Sequence, residues 1–371
     1  PPMGTQPYGF TVYCAEEIKK LVSVPVSCVG RIVTPEAAEA IVASGKADIV
    51  GLGRSLLADP DFAKKCAEGN TACVRKCIMC NKGCTDNIQN RAFLSCVLNA
   101  ENGYEGKRVI TPAAQKKKIA VIGAGIAGLE AARVAAEKGH AVTVFEQSLQ
   151  AGGQLLIAAV PPRKEEMLRA LNYYQAVLAA LPVAFRFGTT LSPEHFADYD
   201  DIIVATGAEN LIPPIPGHTL PHVVGAWDVL AKNAVVFGNV AVIGGGLVGV
   251  ETAEYLAHLG CSVTIVEMLD AVAKEESGTI LPTLTKELDS YGVVRHVNTK
   301  LDEICSDHVT VTASEKDAAP KTFDIPADFV VMAVGAKKHL PDMDGCPVPV
   351  HYIGDCGGER PSNIDHAVKS A

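Results

Sequence analysis

Basic charge is scarce in this sequence: 33 lysines and arginines stand against 42 acidic residues, for a net charge of −9. The one compact basic run, Lys116-Lys117-Lys118, directly precedes an apolar segment and reads as the solvated start of a strand. A surface that meets phosphates broadly needs the opposite balance, so nucleic acid is excluded as an expected partner. Long uninterrupted apolar runs are missing too. The most apolar stretch, 234–250, contains Asn239 and five glycines, which suits a strand and a glycine-rich turn better than a membrane-spanning helix. The opening residues Pro1-Pro2-Met3-Gly4-Thr5-Gln6 lack the charged and apolar regions of a secretory signal. The expectation is a cytoplasmic protein without a membrane partner.

Size and cysteine are in good supply. With 371 residues, 48% of them hydrophobic, two or three domains with ordinary cores can form. The 12 cysteines cluster unevenly, which points to metal chemistry in a reducing compartment rather than to a disulfide framework.

An internal repeat sets the architecture. Gly123-Ala124-Gly125-Ile126-Ala127-Gly128 recurs as Gly244-Gly245-Gly246-Leu247-Val248-Gly249, 121 residues later. Each copy follows an apolar strand, Lys118 to Ile122 or Val240 to Ile243, and opens an alanine-rich helix that stops at Gly139 or Gly260. Each then enters a second strand, Ala141 to Glu146 or Ser262 to Glu267, that ends on a glutamate 23 residues after the first glycine. One glycine loop alone would be weak evidence. Strand, loop, helix, strand and terminal acid in order, twice, at the same spacing, form the dinucleotide-binding pattern. The first glycine permits the tight turn, the second lets a pyrophosphate approach the backbone, and the third lets helix and strand pack closely. Phosphates then sit on the helix N-terminus. Glu146 and Glu267 would accept hydrogen bonds from ribose hydroxyls, and no arginine follows Glu267 within Met268-Leu269-Asp270, so NADH is favoured over NADPH. Two more matching segments, Ala205-Thr206-Gly207-Ala208 and Ala333-Val334-Gly335-Ala336, end apolar strands (Asp201 to Val204, Phe329 to Met332) with small residues that let the chain pass close to a ligand.

This arrangement resembles the two-dinucleotide-binding flavoproteins, in which an NAD domain is inserted in a split FAD domain. The resemblance implies FAD at Gly123, Ala124, Gly125, Gly128, Glu146, Gln147, Ala205, Thr206 and Gly207. NAD would lie at Gly244, Gly246, Gly249, Glu267 and Gly335. Ile353-Gly354-Asp355 matches the late FAD motif, with Asp355 at the ribityl-pyrophosphate region. Among such flavoproteins, thioredoxin reductases carry a Cys-x-x-Cys pair in the NAD half, whereas Cys261, Cys305, Cys346 and Cys356 are too far apart, which disfavours a disulfide reductase. They read as small core or loop residues.

The most specific local signal precedes the first loop. Cys77, Cys80, Cys84 and Cys96 form a C-x2-C-x3-C-x11-C pattern, three thiols on one short segment and a fourth after an excursion. That grouping suits a [4Fe–4S] cluster; zinc, which more often draws two separated cysteine pairs, is the rival. Cys66 and Cys73 fall outside the spacing and read as structural. Arg75-Lys76-Cys77-Ile78-Met79-Cys80-Asn81 and Cys96-Val97-Leu98-Asn99-Ala100-Glu101-Asn102-Gly103 resemble the cluster segments of the iron–sulfur branch of the old yellow enzyme family. That branch includes 2,4-dienoyl-CoA reductase, enoate and bile-acid ene-reductases, and trimethylamine dehydrogenase. Ala100 stands where the family usually has proline. Gly152-Gly153-Gln154-Leu155 and Val160-Pro161-Pro162-Arg163-Lys164-Glu165 fit the family's FAD-contacting loop, which adds Gly153 and Gln154 to the FAD set. The resemblance covers essentially the whole chain.

Ahead of the cysteines, Val24 to Gly30 reads as a buried strand, Thr34-Pro35-Glu36 as a capped helix start and Ala47 to Leu52 as a second strand. By resemblance these belong to the last two strands of a (β/α)8 barrel, and Gly30, Arg31, Gly53 and Arg54 would hold the FMN phosphate. A whole barrel takes about 250 residues, yet 76 precede Cys77. The expectation is therefore the C-terminal part of a longer enzyme, with the proton-donating residue and most of the substrate site upstream; Tyr8 and Tyr13 read as packing residues.

The expected fold is α/β. Residues 1–70 are barrel, 71–112 cluster segment and linker, 113–215 the first part of the FAD domain, 216–330 the NAD(P)H domain and 331–371 the FAD return. The resemblance implies an ene-reductase using FMN, FAD, the cluster and NADH on a small unsaturated carbonyl or thioester, with a homo-oligomer as an option. An amine dehydrogenase of the trimethylamine dehydrogenase type and an electron-transfer module serving a separate catalytic partner are the alternatives.

Overall fold

The computed structural model describes residues 4–314 and 319–371. It divides into two compact units, one formed by Pro1–Leu155, Glu166–Gly207 and His339–Ala371, the other by Leu156–Glu165 and Ala208–Lys338.

The first unit is built outward from the strand Lys118–Ile122, whose last four residues are all buried. A strand covered on both faces reads as a continuous apolar run, and Ile119-Ala120-Val121-Ile122 does so. Ala141–Glu146 and Asp201–Val204 flank it in parallel, and Val183–Phe187 and Val350–Tyr352 form the edges of a five-stranded sheet. The helix Ile126–Glu137 lies against this sheet with 10 of its 12 residues buried. Its alanines permit the close approach, and Gly139, at φ +92°, turns the chain away at its end.

The second unit repeats this plan over its whole sheet. Asn239–Ile243 is central between Ser262–Val266 and Phe329–Met332, with Val294–His296 and Val223–Gly225 at the edges, all parallel. The repeat read from the sequence covered only the first strand, helix and second strand; the duplication extends to all five strands. The outer strand beside Phe329–Met332 comes from the chain ahead of the glycine loop. Its counterpart in the first unit, Val350–Tyr352, comes from near the end of the sequence, so linear comparison does not align them. An antiparallel three-stranded sheet, Thr299–Ile304, His308–Ala313 and Lys321–Pro326, covers one face with Val309, Val311 and Ile325 packed against Ile243, Val266 and Met332.

The N-terminal strands are shorter than expected. Only Ser27–Cys28 and Ile49–Val50 pair, in parallel, where Val24 to Gly30 and Ala47 to Leu52 were anticipated. Among the described residues no further strand joins this pair, so the ladder gains partners on one edge alone, and Val24, Val29 and Ile49 remain more than half exposed. Between them the helix Pro35–Ala43 starts as the sequence indicated, with Pro35 in its first turn and Thr34 Oγ1 accepting from Ala37 N at 3.1 Å. Among the described residues no helix is long and apolar enough to cross a membrane.

The tightest packing lies at the third glycine of each loop. A Cβ on Gly128 would overlap the carbonyl oxygen of Gly123, and one on Gly249 the carbonyl oxygen of Gly244. Backbone cannot step aside as a flexible side chain can. Gly128→Ala and Gly249→Ala are each expected to cost about 2 kcal/mol or more, read as a lowered midpoint in chemical denaturation of the unit concerned.

Candidate cofactor sites

The two glycine loops superimpose in conformation. Gly123 and Gly244 both adopt φ +103°, a region that L side chains rarely enter. Gly125 and Gly246 cap their helices with extended backbone, and a Cβ on either would meet no protein atom within 4 Å. Their lack of a side chain therefore serves what lies outside the protein, at a helix end that presents free N–H groups to an anion.

The terminal glutamates are fixed by the backbone. Glu146 accepts from Ala124 N and from Ser148 N, both at 2.8 Å. Glu267 accepts from Gly245 N at 2.5 Å and from Leu269 N at 2.7 Å. Each carboxylate thus spans the glycine loop and its own turn, the place from which it can receive ribose hydroxyls. Gln147 is exposed just beyond Glu146. Gly335 holds φ +112° with open space where a Cβ would stand.

Distant parts of the first unit converge on its loop. Gln154 Nε2 donates to Asp355 Oδ2 at 3.0 Å across 201 residues of sequence. A Cβ on Gly153 would lie 3.2 Å from Gly125 Cα, and one on Gly207 3.1 Å from Gln154 Nε2. The carbonyl of Ala205 backs Gly123, and Thr206 Oγ1 donates to His339 O at 2.5 Å. The expected FAD residues therefore surround one helix N-terminus. Arg163 and Lys164, from the neighbouring segment that fits the same loop, belong to the second unit, where Arg163 pairs with buried Glu254 and Lys164 with Glu251 at 2.6 Å.

The cysteine segment curls on itself. Met79 and Asn81 hold φ of +58° and +61°, and a wide turn at Lys82–Asp86 follows, closed by Asp86 N donating to Asn81 O at 3.1 Å. Burial raises the Cys77 thiol to about 11 and pushes up Cys80 and Cys96. Among the described residues no three His, Cys, Asp or Glu side chains converge on a single-ion point. The donor set is all thiol, with Cys77 buried and Cys80, Cys84 and Cys96 half-buried, and such a set fits a thiolate-ligated cluster. A buried cation without a hydrogen-bond partner at its Nε, Arg75, stands two residues before Cys77 and fits an anionic guest.

Of the expected FMN arginines, Arg54 bonds this segment and Arg31 a carboxylate beside it. Arg54 Nη1 donates to Asn81 Oδ1, beside Cys80. Arg31, its side chain 1% exposed, pairs with buried Glu166. Glu166 also accepts from Tyr8 OH at 2.6 Å, and Arg169 donates to Tyr8 OH and to Cys77 O, the latter at 2.9 Å. Tyr8 is thus part of a polar network rather than a packing residue, and Tyr13 is 67% exposed. Gly30, at φ +120°, and Gly53, at the start of a short helix, flank the same end. Glu166, Arg169 and Tyr173 carried no motif that could have marked them in the sequence.

Residues 117–348 match the pyridine nucleotide-disulphide oxidoreductase family. The chain belongs to that family. Residues 5–72 match a second, the NADH:flavin oxidoreductase / NADH oxidase family. The bilirubin reductase of Mediterraneibacter gnavus is 52% identical over 100% of this chain and 57% of its own length. A metal reductase of Desulforamulus reducens is 35% identical over 98% of this chain and 59% of its own. The solved 2-naphthoyl-CoA reductase complex superposes with a TM-score of 0.91 at 29% identity, covering 98% of this chain and 56% of that one. The chain therefore spans a little over half the length of the relatives it matches. The chain lies in the old yellow enzyme and 2,4-dienoyl-CoA reductase-like branch of flavoenzymes, with the α/β fold class read from its sequence.

The second glycines separate ligand binding from folding. Gly125→Ala and Gly246→Ala should leave the denaturation midpoint close to the parent value. Gly125→Ala should lower FAD retention, and Gly246→Ala should raise the KM for NADH by about tenfold, equivalent to about 1.4 kcal/mol. A fall in stability like that of Gly249→Ala would show that the loop itself needs these glycines.

Proposed function

We propose that this chain is the electron-input portion of an NADH-dependent enzyme that reduces a carbon–carbon double bond activated by a carbonyl or thioester. The observation that carries the reading is the anchoring of the cysteine segment by two arginines within one compact unit. Arg169, on the helix that follows the FAD loop, holds Cys77 O, and Arg54, at the end of the barrel strands, holds Asn81. In this reading the segment links the FAD-binding part of the chain to the arginines of the FMN end. Similarity to a bilirubin reductase and to a 2-naphthoyl-CoA reductase supports a conjugated small-molecule substrate. Similarity to a metal reductase fits an input module shared by enzymes whose acceptors differ.

When bound, the nicotinamide and flavins carry hydride and single electrons, and the cluster relays electrons one at a time. The residues of this chain hold and orient. In this reading the helix starting after Gly246 receives the NADH pyrophosphate, and Glu267 accepts the adenosine ribose hydroxyls while repelling a 2′-phosphate. Gly123, Ala124, Gly125, Gly128, Glu146 and Gln147 do the same for FAD, with Ala205, Thr206 and Gly207 along its flank. Gln154, held by Asp355, closes the site beside Gly153. Cys77, Cys80, Cys84 and Cys96 ligate the cluster. At the other end the backbone of Gly30 and Arg31 and the guanidinium of Arg54, with Gly53, hold the FMN phosphate.

Two measurements on the full-length protein test this. Under anaerobic conditions NADH alone should bleach the flavin, and an α,β-unsaturated acid or thioester should restore its colour. Bleaching by secondary or tertiary amines, with NADH inert, would instead make it an amine dehydrogenase. Glu267→Ala should shift the kcat/KM ratio toward NADPH by about tenfold or more, since the loss removes both the ribose acceptor and the repulsion.

A further inference from the structure

The turn at Gly30-Arg31 is braced by separate stretches of the first unit. Gly9 N donates to Gly30 O at 3.0 Å and Thr11 Oγ1 donates to Val29 O, so the carbonyls entering the turn are taken up by the chain ahead of it. Arg31 stands at φ +52°, a region that a residue with a side chain occupies where its surroundings over-determine it. The contact that fixes it is made by its guanidinium, which donates to Glu166 Oε1, the two side chains being 1% and 5% exposed. Among the described residues Gly30 N has no protein acceptor. That backbone donor is left to a group outside the protein.

Glu166 comes from a distant part of the sequence, the single helical turn Glu165–Met167 that leads into the helix Leu168–Ala179. Its Oε1 accepts from Tyr8 OH at 2.6 Å as well as from Arg31, and its Oε2 lies 3.5 Å from Arg169 Nη1. Both guanidiniums lie over the Tyr8 ring, Arg31 at 4.8 Å and Arg169 at 4.9 Å from its centroid. A buried carboxylate shared in this way leaves the Arg31 side chain little freedom. We propose that Glu166 is a positioning residue of the FMN phosphate site: it holds the Arg31 side chain and thereby fixes the Gly30-Arg31 turn whose backbone receives the phosphate. The proposal rests on the FMN reading of this turn. The charge of Arg31 is met inside the protein by Glu166, so Arg31 serves the flavin through its backbone and not through its guanidinium. Donors that are already in place bind an anion without first having to be ordered. Release of the side chain removes that advantage.

The test is FMN affinity, measured on the full-length protein by titrating FMN back into samples depleted of it, with FAD and iron contents determined in each variant. Glu166→Gln and Arg31→Met should each weaken FMN binding about tenfold, and the double variant also about tenfold rather than about a hundredfold, because the two side chains act as one unit. FAD and iron contents should stay at the parent level, which separates positioning of this turn from a general loosening of the fold. Were the Arg31 guanidinium itself the phosphate ligand, Glu166→Gln would release it, and FMN would bind as tightly as in the parent or more tightly. That result overturns the proposal, as do multiplied losses in the double variant or a loss of FAD and iron in proportion to FMN. If Glu166→Gln does not fold, Tyr8→Phe decides: it takes one hydrogen bond from Glu166, keeps the ring, and should weaken FMN about threefold, an unchanged affinity overturning the proposal. A parent protein that takes up no FMN overturns the FMN reading, and this proposal with it.

Discussion

Both nucleotide sites depend on one backbone contact, the approach of Gly128 to the carbonyl of Gly123 and its copy between Gly249 and Gly244. That contact fixes how close each helix sits to the end of its central strand. The helix N-terminus can then face the space beyond the sheet, where the second glycine leaves room for a pyrophosphate. The terminal glutamates reinforce the geometry, because each bonds a loop amide and an amide of its own turn. Any side chain at the third glycine would separate helix from strand and move every one of these groups.

The cysteine segment gives this duplicated scaffold a direction. It is covered by helix residues that follow the FAD loop and by the arginines at the ends of the barrel strands, so three chemically distinct regions meet around buried thiols. The meeting is held by charge. Glu166 gathers Arg31, Tyr8 and Arg169, and Arg169 reaches the carbonyl of Cys77. A carboxylate serving several donors from separate stretches of chain restricts their relative motion more than isolated surface pairs could.

Much of this was legible because the relevant chemistry is local in sequence. The glycine loops, their flanking strands, the acids at fixed spacing and the clustered cysteines each lie within a short window, and the strands Lys118–Ile122, Ala141–Glu146, Asp201–Val204 and Phe329–Met332 occur where apolar patterning placed them. Non-local pairings were not legible. Tyr8 lies 158 residues from the Glu166 it bonds, and nothing in either neighbourhood announces the partnership. Arg163 and Lys164 pair with Glu254 and Glu251, carboxylates that only the fold brings near. The barrel strands were read too long for a related reason: strand length depends on ladder partners, and apolar residues alone do not provide them.

The central claim is that electrons entering at the NADH site reach the substrate through the cysteine segment. It is tested most directly by following flavin absorbance in single-turnover reduction of the full-length Cys96→Ser variant by NADH. The account predicts that the FAD portion bleaches at the parent rate, while the FMN portion and the unsaturated substrate stay oxidised. Substrate reduction at the parent rate in a variant shown to lack cluster iron would contradict it.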